Sequence, residues 1–440
     1  MKISKTFIFV LFSVVTFNQC TAQDPASKIS ASDKRVVINT IVSLLKENYV
    51  FEEKADAVEK ELNMKFTTNQ YDRHETINSF GDQLNMDLSN ILNDKHVQIY
   101  FSPKIVRRLR NESKGNKDQA PDEPFVAMLK NENFRMRKVE ILHGNIGYFK
   151  IDNFVELKYC KETLTGAMNF ISNSSAIVLD LSDCGGGPSE TMDFILSYFL
   201  PESTKIGELK FRKNNEVKEY YTVKDPSIKK LTDMPLYILV SNNTASAAEG
   251  LAACLQEYKR AVVIGGQTKG LGNPGELFVI NDVLYMFITT AVSGTAISGK
   301  NFNGIGVTPD INAAAPGSFN FNKAMTDVCQ SLSKKAKEKK LKNASKWLLF
   351  EYESLAYPDI ADNGYLQSIL GTYQDGAKIL SENGSIYYFN GSSKRKLTYM
   401  SKSTFSVEGR KDYRVFFPKD FNEMKILWFD DTEDVIKRID

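Results

Sequence analysis

Hydrophobic and polar positions along this chain change their period three times. From about residue 30 to residue 96 the spacing is helical: Val36, Val37, Thr40, Ile41, Leu44 and Leu45 follow one face, and Ile77, Phe80, Leu84, Leu88 and Leu92 follow another. This pattern predicts a small helical bundle ending at Asn93-Asp94-Lys95-His96, after which Val97, Ile99 and Phe101 alternate as a short strand. The stretch Asn111 to Pro124 is polar and turn-rich, and predicts an exposed loop. From Val139 onward strands and helices alternate. Gly147 to Ile151 reads as a strand, Glu162 to Ile171 as a helix, and Ala176 to Leu181 as a buried parallel strand. A helix at Thr191 to Phe199, a hairpin, a strand at Leu236, a helix after Ser246 and a strand at Ala261 to Ile264 follow. Beyond Phe319 comes a charged helix, then short strands separated by Asn383-Gly384 and Asn390-Gly391 turns.

These patterns predict an α/β fold: a central mixed sheet with helices on both faces, an N-terminal helical bundle and a small C-terminal β domain. The expected boundaries are a signal peptide over 1–22, a helical domain over 30–103, the α/β domain over 124–316, a helical linker over 317–360 and the β domain over 361–440.

The leader reading comes from Lys2 and Lys5, the apolar run Thr6 to Phe17 and the small residues before Gln23. It predicts an exported protein, periplasmic or extracellular, with no membrane span. A lipid anchor on Cys20 is the alternative, and Gln19 in front of it argues against that. With 440 residues, 42% hydrophobic and 11% aromatic, the chain can build a full core. Removal of Lys2 and Lys5 with the leader takes the formal charge from +2 to 0, which gives no reason to expect nucleic acid as a partner. Only His74, His96 and His143 are available, and the cysteines lack metal-like spacing, so neither a metal nor another cofactor is expected. Disulfides among Cys160, Cys184, Cys254 and Cys329 are permitted by export but not required.

The chemistry concentrates in three places. Ser246, in Thr244-Ala245-Ser246-Ala247-Ala248-Glu249, follows an apolar strand and opens a helix, where unpaired N–H groups and the helix dipole favour developing negative charge. An ordinary N-cap serine would occupy the same position. Gly185-Gly186-Gly187, just after the strand ending Asp180-Leu181, could bring bare backbone N–H groups to an oxyanion or could be a flexible strand exit. The run Gly294 to Lys300 imitates a phosphate-binding loop, but Asn301 replaces the required hydroxyl residue and no amphipathic helix follows.

The ordered series Ile146-Gly147-Tyr148, Leu179-Asp180-Leu181 with its glycines, the Ser246 motif, Gly265-Gly266-Gln267-Thr268 and Gly304-Ile305-Gly306-Val307-Thr308-Pro309-Asp310 resembles the tail-specific, or C-terminal processing, serine peptidases. That family includes tricorn-type proteases and interphotoreceptor retinoid-binding protein. The resemblance implies a ClpP/crotonase-like core and a polypeptide substrate. It also implies Ser246 as nucleophile, with Ala247 and Gly186 or Gly187 donating to the oxyanion. The gap between His96 and Gly144 is too short for the PDZ module that many members carry there. The helical segment resembles the N-terminal domain of the retinoid-binding branch.

This chain departs from the family pattern at two positions. Leu271 stands where the processing branch has its lysine base, and Lys269 lies two residues away. The tricorn-like branch instead uses a histidine in a Leu-x-Asp-x-His setting, matched by Leu92-Asn93-Asp94-Lys95-His96, which implies His96 as base. That branch carries a carboxylate where this chain has Asn303, an amide that can orient an imidazole but adds no charge. His74 and His143 read as structural. Two function classes follow: an exported serine peptidase using Ser246, His96 and Asn303, or a non-catalytic protein binding an apolar ligand or peptide on the same scaffold.

Overall fold

Ser30 caps the first helix by accepting a hydrogen bond from the Asp33 amide, and helix α1 (Ala31–Asn48) then buries Val37, Ile38, Ile41, Val42 and Leu45 along one side. In this computed structural model residues 27–113, 123–212, 215–315 and 318–440 are described, so the leader read over residues 1–22 lies outside the described residues. Helix α2 (Glu52–Thr67) follows. Helix α3 (Ile77–Leu92) is capped by Thr76 and buries Phe80, Leu84, Leu88 and Leu92 completely. Asn93 ends it in the left-handed region at φ 48°, a conformation that asparagine tolerates better than most residues. Strand β1 (Gln98–Phe101) begins a few residues later.

The predicted loop is shorter than its composition suggests. Helix α4 (Pro103–Ser113) takes in Asn111, and helix α5 (Glu123–Asn131) takes in Pro124. Both prolines sit in a first turn, where the missing N–H costs no helix bond, and Val106 is fully buried among the charged residues of α4.

The chain divides into two compact units, the first made of Met1–Glu140, Gly147–Asn173 and Ile177–Asp310. Its central sheet uses β2 (Met136–Leu142), β3 (Ile146–Ile151), β4 (Ala176–Asp180), β7 (Leu236–Val240) and β8 (Val262–Gly265) in the order β8-β7-β4-β3-β2. Strands β4 and β7 are buried at every position and pair in parallel, as does β7 with β8. An uninterrupted apolar run is what a strand covered on both faces requires. Helices α6 (Leu157–Ile171), α7 (Ser189–Phe199) and α8 (Ala247–Glu257) contribute to the core over that sheet. A smaller sheet joins β11 (Ala291–Gly294) to the hairpin β5 (Lys205–Phe211) and β6 (Val217–Tyr221).

The N-terminal helices do not close a core by themselves. Strand β1 pairs antiparallel with β10 (Leu284–Thr289), which pairs with β9 (Gly275–Val279). Leu284, Met286 and Ile288 of β10 share one apolar cluster with Phe80, Leu84 and Leu88 of α3. Two segments far apart in sequence therefore form one packing unit. Beside that pairing, the His96 ring lies against Phe287 of β10.

The second unit contains Ile141–Ile146, Ser174–Ala176 and Ile311–Asp440. Helices α9 (Phe321–Lys335) and α10 (Lys339–Ala356) pack on each other, and a short α11 (Asn363–Ser368) follows. Eight antiparallel strands then run in sequence order from Gly371–Thr372 to Glu433–Lys437. Asn383 and Gly384, both at positive φ, form one of the predicted two-residue hairpin turns.

Candidate active site

The turn carrying Ser246 is tied down before the helix begins. Thr244 Oγ1 donates to the Leu181 carbonyl at 2.7 Å, Ser241 Oγ to the Ser182 carbonyl at 2.5 Å, and the Ala245 amide to the Cys184 carbonyl at 3.0 Å. These bonds fix the exit of β7 to the exit of β4. Ser246 then adopts φ 56° and ψ −125°, a conformation that costs a non-glycine residue about 1–3 kcal/mol and persists only where neighbours enforce it. This strained strand-to-helix corner presents a hydroxyl at the start of α8. The residue is only 5% exposed.

Gly186 is pressed against that corner. A Cβ on Gly186 would lie 2.8 Å from the Ser246 Cβ and 3.0 Å from the Ala247 nitrogen, so glycine is what lets the β4 exit loop approach the helix start. Gly187, at φ 136°, would drive a Cβ into the Phe154 carbonyl. We expect Gly187→Ala to lower stability by more than the 1–3 kcal/mol of backbone strain alone, measured by urea unfolding. A change under about 1 kcal/mol would contradict the close approach. The structure thus brings Ser246, Ala247 and Gly186 together, while Gly187, next in the chain, lies against Phe154.

His96 is set from the N-terminal side. It is 3% exposed, its ring stacks on Phe287 of β10 at 5.8 Å between centroids, and neither ring nitrogen has a hydrogen-bond partner. Asp94 lies beside it. Asp94 Oδ1 accepts from the His96 amide at 3.0 Å and stands 3.6 Å from Nδ1, too long for a hydrogen bond but close enough for charge to act. Asp94 Oδ2 accepts from Thr289 Oγ1 at 2.9 Å and from Tyr49 at 3.2 Å. Burial pushes the Asp94 carboxyl up, but its bonds and charge interaction with His96 and the Thr289 hydroxyl outweigh burial and hold it below its ordinary value of 3.8. Its contribution to stability is therefore present above that value and is lost as pH falls through the lower folded value. Urea melts of wild type and Asp94→Asn should differ at pH 6 and converge below pH 3.8. A gap unchanged by acid would refute this.

No hydrogen bond joins His96 to Ser246. What links them is β9-β10-β1: Pro274, immediately before β9, lines the cavity beside Ser246, while Phe287 and Thr289 of β10 hold His96 and Asp94. Unliganded catalytic hydrogen bonds are often long and tighten only with substrate.

Asn303 is not placed as the histidine's orienting partner. Its Oδ1 accepts from the Gly272 and Asn273 amides at 3.0 and 3.2 Å, and its own amide is held by Asn301 Oδ1 at 2.6 Å. It braces the turn that forms a cavity wall at Gly272. A carboxylate does stand beside the imidazole, that of Asp94 inside the Leu-x-Asp-x-His segment. Lys269 is exposed, with its amide bonded to the Thr244 carbonyl, while Leu271 is buried.

Residues 145–313 match the model of peptidase family S41, and residues 25–141 match that described as the N-terminal domain of Peptidase_S41 in eukaryotic IRBP. The chain belongs to peptidase family S41. It is 29% identical over 203 residues to a carboxy-terminal-processing protease of Bartonella bacilliformis, covering 44% of this chain and 45% of that protein. It is 33% identical over 170 residues to carboxyl-terminal-processing peptidase 2, chloroplastic, of Arabidopsis thaliana, covering 38% of this chain and 31% of that protein. The chain thus spans less than half the length of these curated relatives. Among solved structures, a photosystem II D1 C-terminal processing protease aligns with TM-score 0.42 and 15% identity over 64% of this chain and 94% of that chain.

One residue of this S41 chain that the sequence reading left without a role is Glu249. It is fully buried, and its carboxylate accepts from the Ser246 amide at 2.8 Å, Thr268 Oγ1 at 2.5 Å, the Gly270 amide at 2.7 Å and the Leu271 amide at 2.8 Å. It fastens the serine turn to the turn after β8. The phosphate-loop mimic is filled by a carboxylate as well, since Glu257 accepts from Thr295 Oγ1, Ser298 Oγ and the Ile297 amide. An anion already occupies the place a phosphate would need. The four cysteines beyond the leader are all buried and free, and burial raises the Cys184 thiol to about 12. His143 packs edge-on to Phe429 within the second unit, and His74 bonds Ser79, both structural contacts.

Proposed function

We propose that this S41 chain is a serine-type peptidase with Ser246 as nucleophile and His96 as general base. The observation that carries the reading is the strained corner at Ser246, packed against Gly186 and opening α8 with the Ala247 amide. In this reading Ser246 Oγ attacks the scissile carbonyl while His96 takes its proton. The carbonyl oxygen, now negative, receives N–H groups from Ala247 and from Gly186 or Gly187 at the positive end of the helix. His96 returns the proton to the leaving amine, and water then cleaves the acyl-enzyme by the same steps reversed. Asp94 supports the imidazolium through its charge.

The substrate is a polypeptide. The leader over residues 1–22 supports export to the periplasm or beyond, and among the described residues no helix is long and apolar enough to cross a membrane. The unmade bond between His96 and Ser246 favours the second reading, a scaffold that binds a peptide or apolar ligand without turnover. Incubation with unfolded casein separates the two. New peptide termini in mass spectra, absent with Ser246→Ala, support the peptidase; binding without cleavage supports the scaffold.

A further inference from the structure

The cavity beside Ser246 encloses about 90 Å³ and is walled largely by apolar groups, including Met192, Ile206, Leu209, Tyr220 and Phe302. Among them stands a carboxylate that the chemistry above does not use. Asp193, on α7, lines the cavity, and its Oδ1 is shielded from solvent with no hydrogen-bond partner. The residue as a whole is only half-buried, but a carboxylate oxygen held from water without a partner is costly unless the group takes up a proton or meets a cation. Burial, with the charge of Glu190 added, pushes the Asp193 carboxyl up to about 7.

Among the described residues no cation acts on Asp193, and the charge that does act on it is that of Glu190. Glu208 also lines the cavity, and Lys205 beside it is committed to Glu208 at 2.7 Å and Glu219 at 2.8 Å. Tyr220 and Cys254, which face Asp193 from β6 and α8, are each raised to about 12 by burial, with the Asp193 charge adding to it, and so stay neutral. The cavity therefore combines apolar walls with a carboxylate awaiting a cation. That combination fits a flexible aliphatic stem ending in an ammonium group.

We propose that this cavity is the side-chain pocket for the residue whose carbonyl Ser246 attacks, and that Asp193 selects a basic, lysine-type side chain there. The proposal rests on Ser246 being the nucleophile. The stem lies along Met192, Ile206 and Tyr220, and the ammonium pairs with Asp193. Glu208 adds negative potential at the rim.

Peptidyl diphenyl phosphonates carrying either lysine or norleucine at that position test it. Ser246 Oγ forms a bond to phosphorus as phenol leaves, and the rate is read by intact-protein mass spectrometry. At pH 8 the wild-type protein should react with the lysine probe about tenfold faster or more, an ion pair formed away from water. In Asp193→Asn, shown to be folded by its urea midpoint, that ratio should fall about tenfold. Equal or faster reaction with norleucine, or an unchanged ratio in Asp193→Asn, would overturn the proposal. A readout without any variant is the wild-type ratio itself, which should rise between pH 6 and pH 8 as Asp193 ionises near 7; a flat ratio also overturns it. A side-chain-free fluorophosphonate run in parallel keeps the two ideas apart. Labelling of Ser246 with no lysine preference removes the Asp193 proposal alone, whereas no labelling removes the nucleophile assignment and this proposal with it.

Discussion

Ser246→Ala is expected to lower peptide hydrolysis by about 10⁴-fold or more, and His96→Ala by a similar factor, while the double variant is no worse than either. The reason is that a nucleophile and its base act as one unit. Once the hydroxyl is gone, an intact imidazole has no proton to take; once the imidazole is gone, the hydroxyl is too weakly acidic to attack at neutral pH. The helix start and glycine loop would still bind the carbonyl and leave a small residual rate. Ser246→Ala removes little packing, whereas His96→Ala deletes a buried ring stacked on Phe287, so its urea midpoint must show that it is folded before its rate is compared. Additive losses in the double variant, or a His96→Ala enzyme within tenfold of wild type, would show that His96 is not the base.

The second large effect concerns Glu249. Four donors converge on a carboxylate with no exposure to solvent, and two of them, the Ser246 and Leu271 amides, share Oε2. Hydrogen bonds to a charged group contribute about 1.5–3 kcal/mol each, and a buried donor left unpaired costs about 1–3 kcal/mol. Glu249→Ala should therefore destabilise the protein by more than about 4 kcal/mol, at the severe end for single substitutions. Glu249→Gln keeps an acceptor but turns an NH₂ toward donors, and should fall between alanine and wild type. Where the glutamine variant remains folded, Ser246 should react more slowly with a fluorophosphonate, because the positive-φ corner loses the bond that holds its amide. Urea midpoints measure the first effect and labelling rates the second. A loss below about 1 kcal/mol for alanine would mean the carboxylate is not needed there.

Much of this site was legible in the residues, and the parts that were not share a cause. The strand-turn-helix around Ser246 is local: an uninterrupted apolar run, a hydroxyl-rich turn and small residues opening a helix all lie within about twenty positions. The glycines after β4 are equally local. Asn93 before Asp94 and His96 could be read as a helix stop, and the left-handed cap is where it falls. Pairing across long separations was not visible. Nothing in Gln98 to Phe101 says that its partner is Leu284 to Thr289, yet that pairing sets the position of His96. Asp94 was quoted within a motif without a task, since only the fold brings Thr289 and Tyr49 to its second oxygen. Glu249 stands in the sequence only as the last residue of the serine motif, although its four bonds run to turns nineteen to twenty-two residues away as well as to its own helix start. The loop reading over Asn111 to Pro124 failed at both edges because charged residues can fill the outer face of a helix as readily as a loop. Asn303 shows the converse. A family position suggested a partner for histidine, but an amide without charge has become a brace for the cavity wall.

Ser246, the N-cap residue of α8, is in this reading an activated nucleophile as well. Fluorophosphonate treatment followed by peptide mapping tests it directly. Modification is expected on Ser246 of the wild-type protein, with the rate at least about tenfold lower in a folded His96→Ala variant. A folded wild-type protein that carries no label on Ser246 would contradict it.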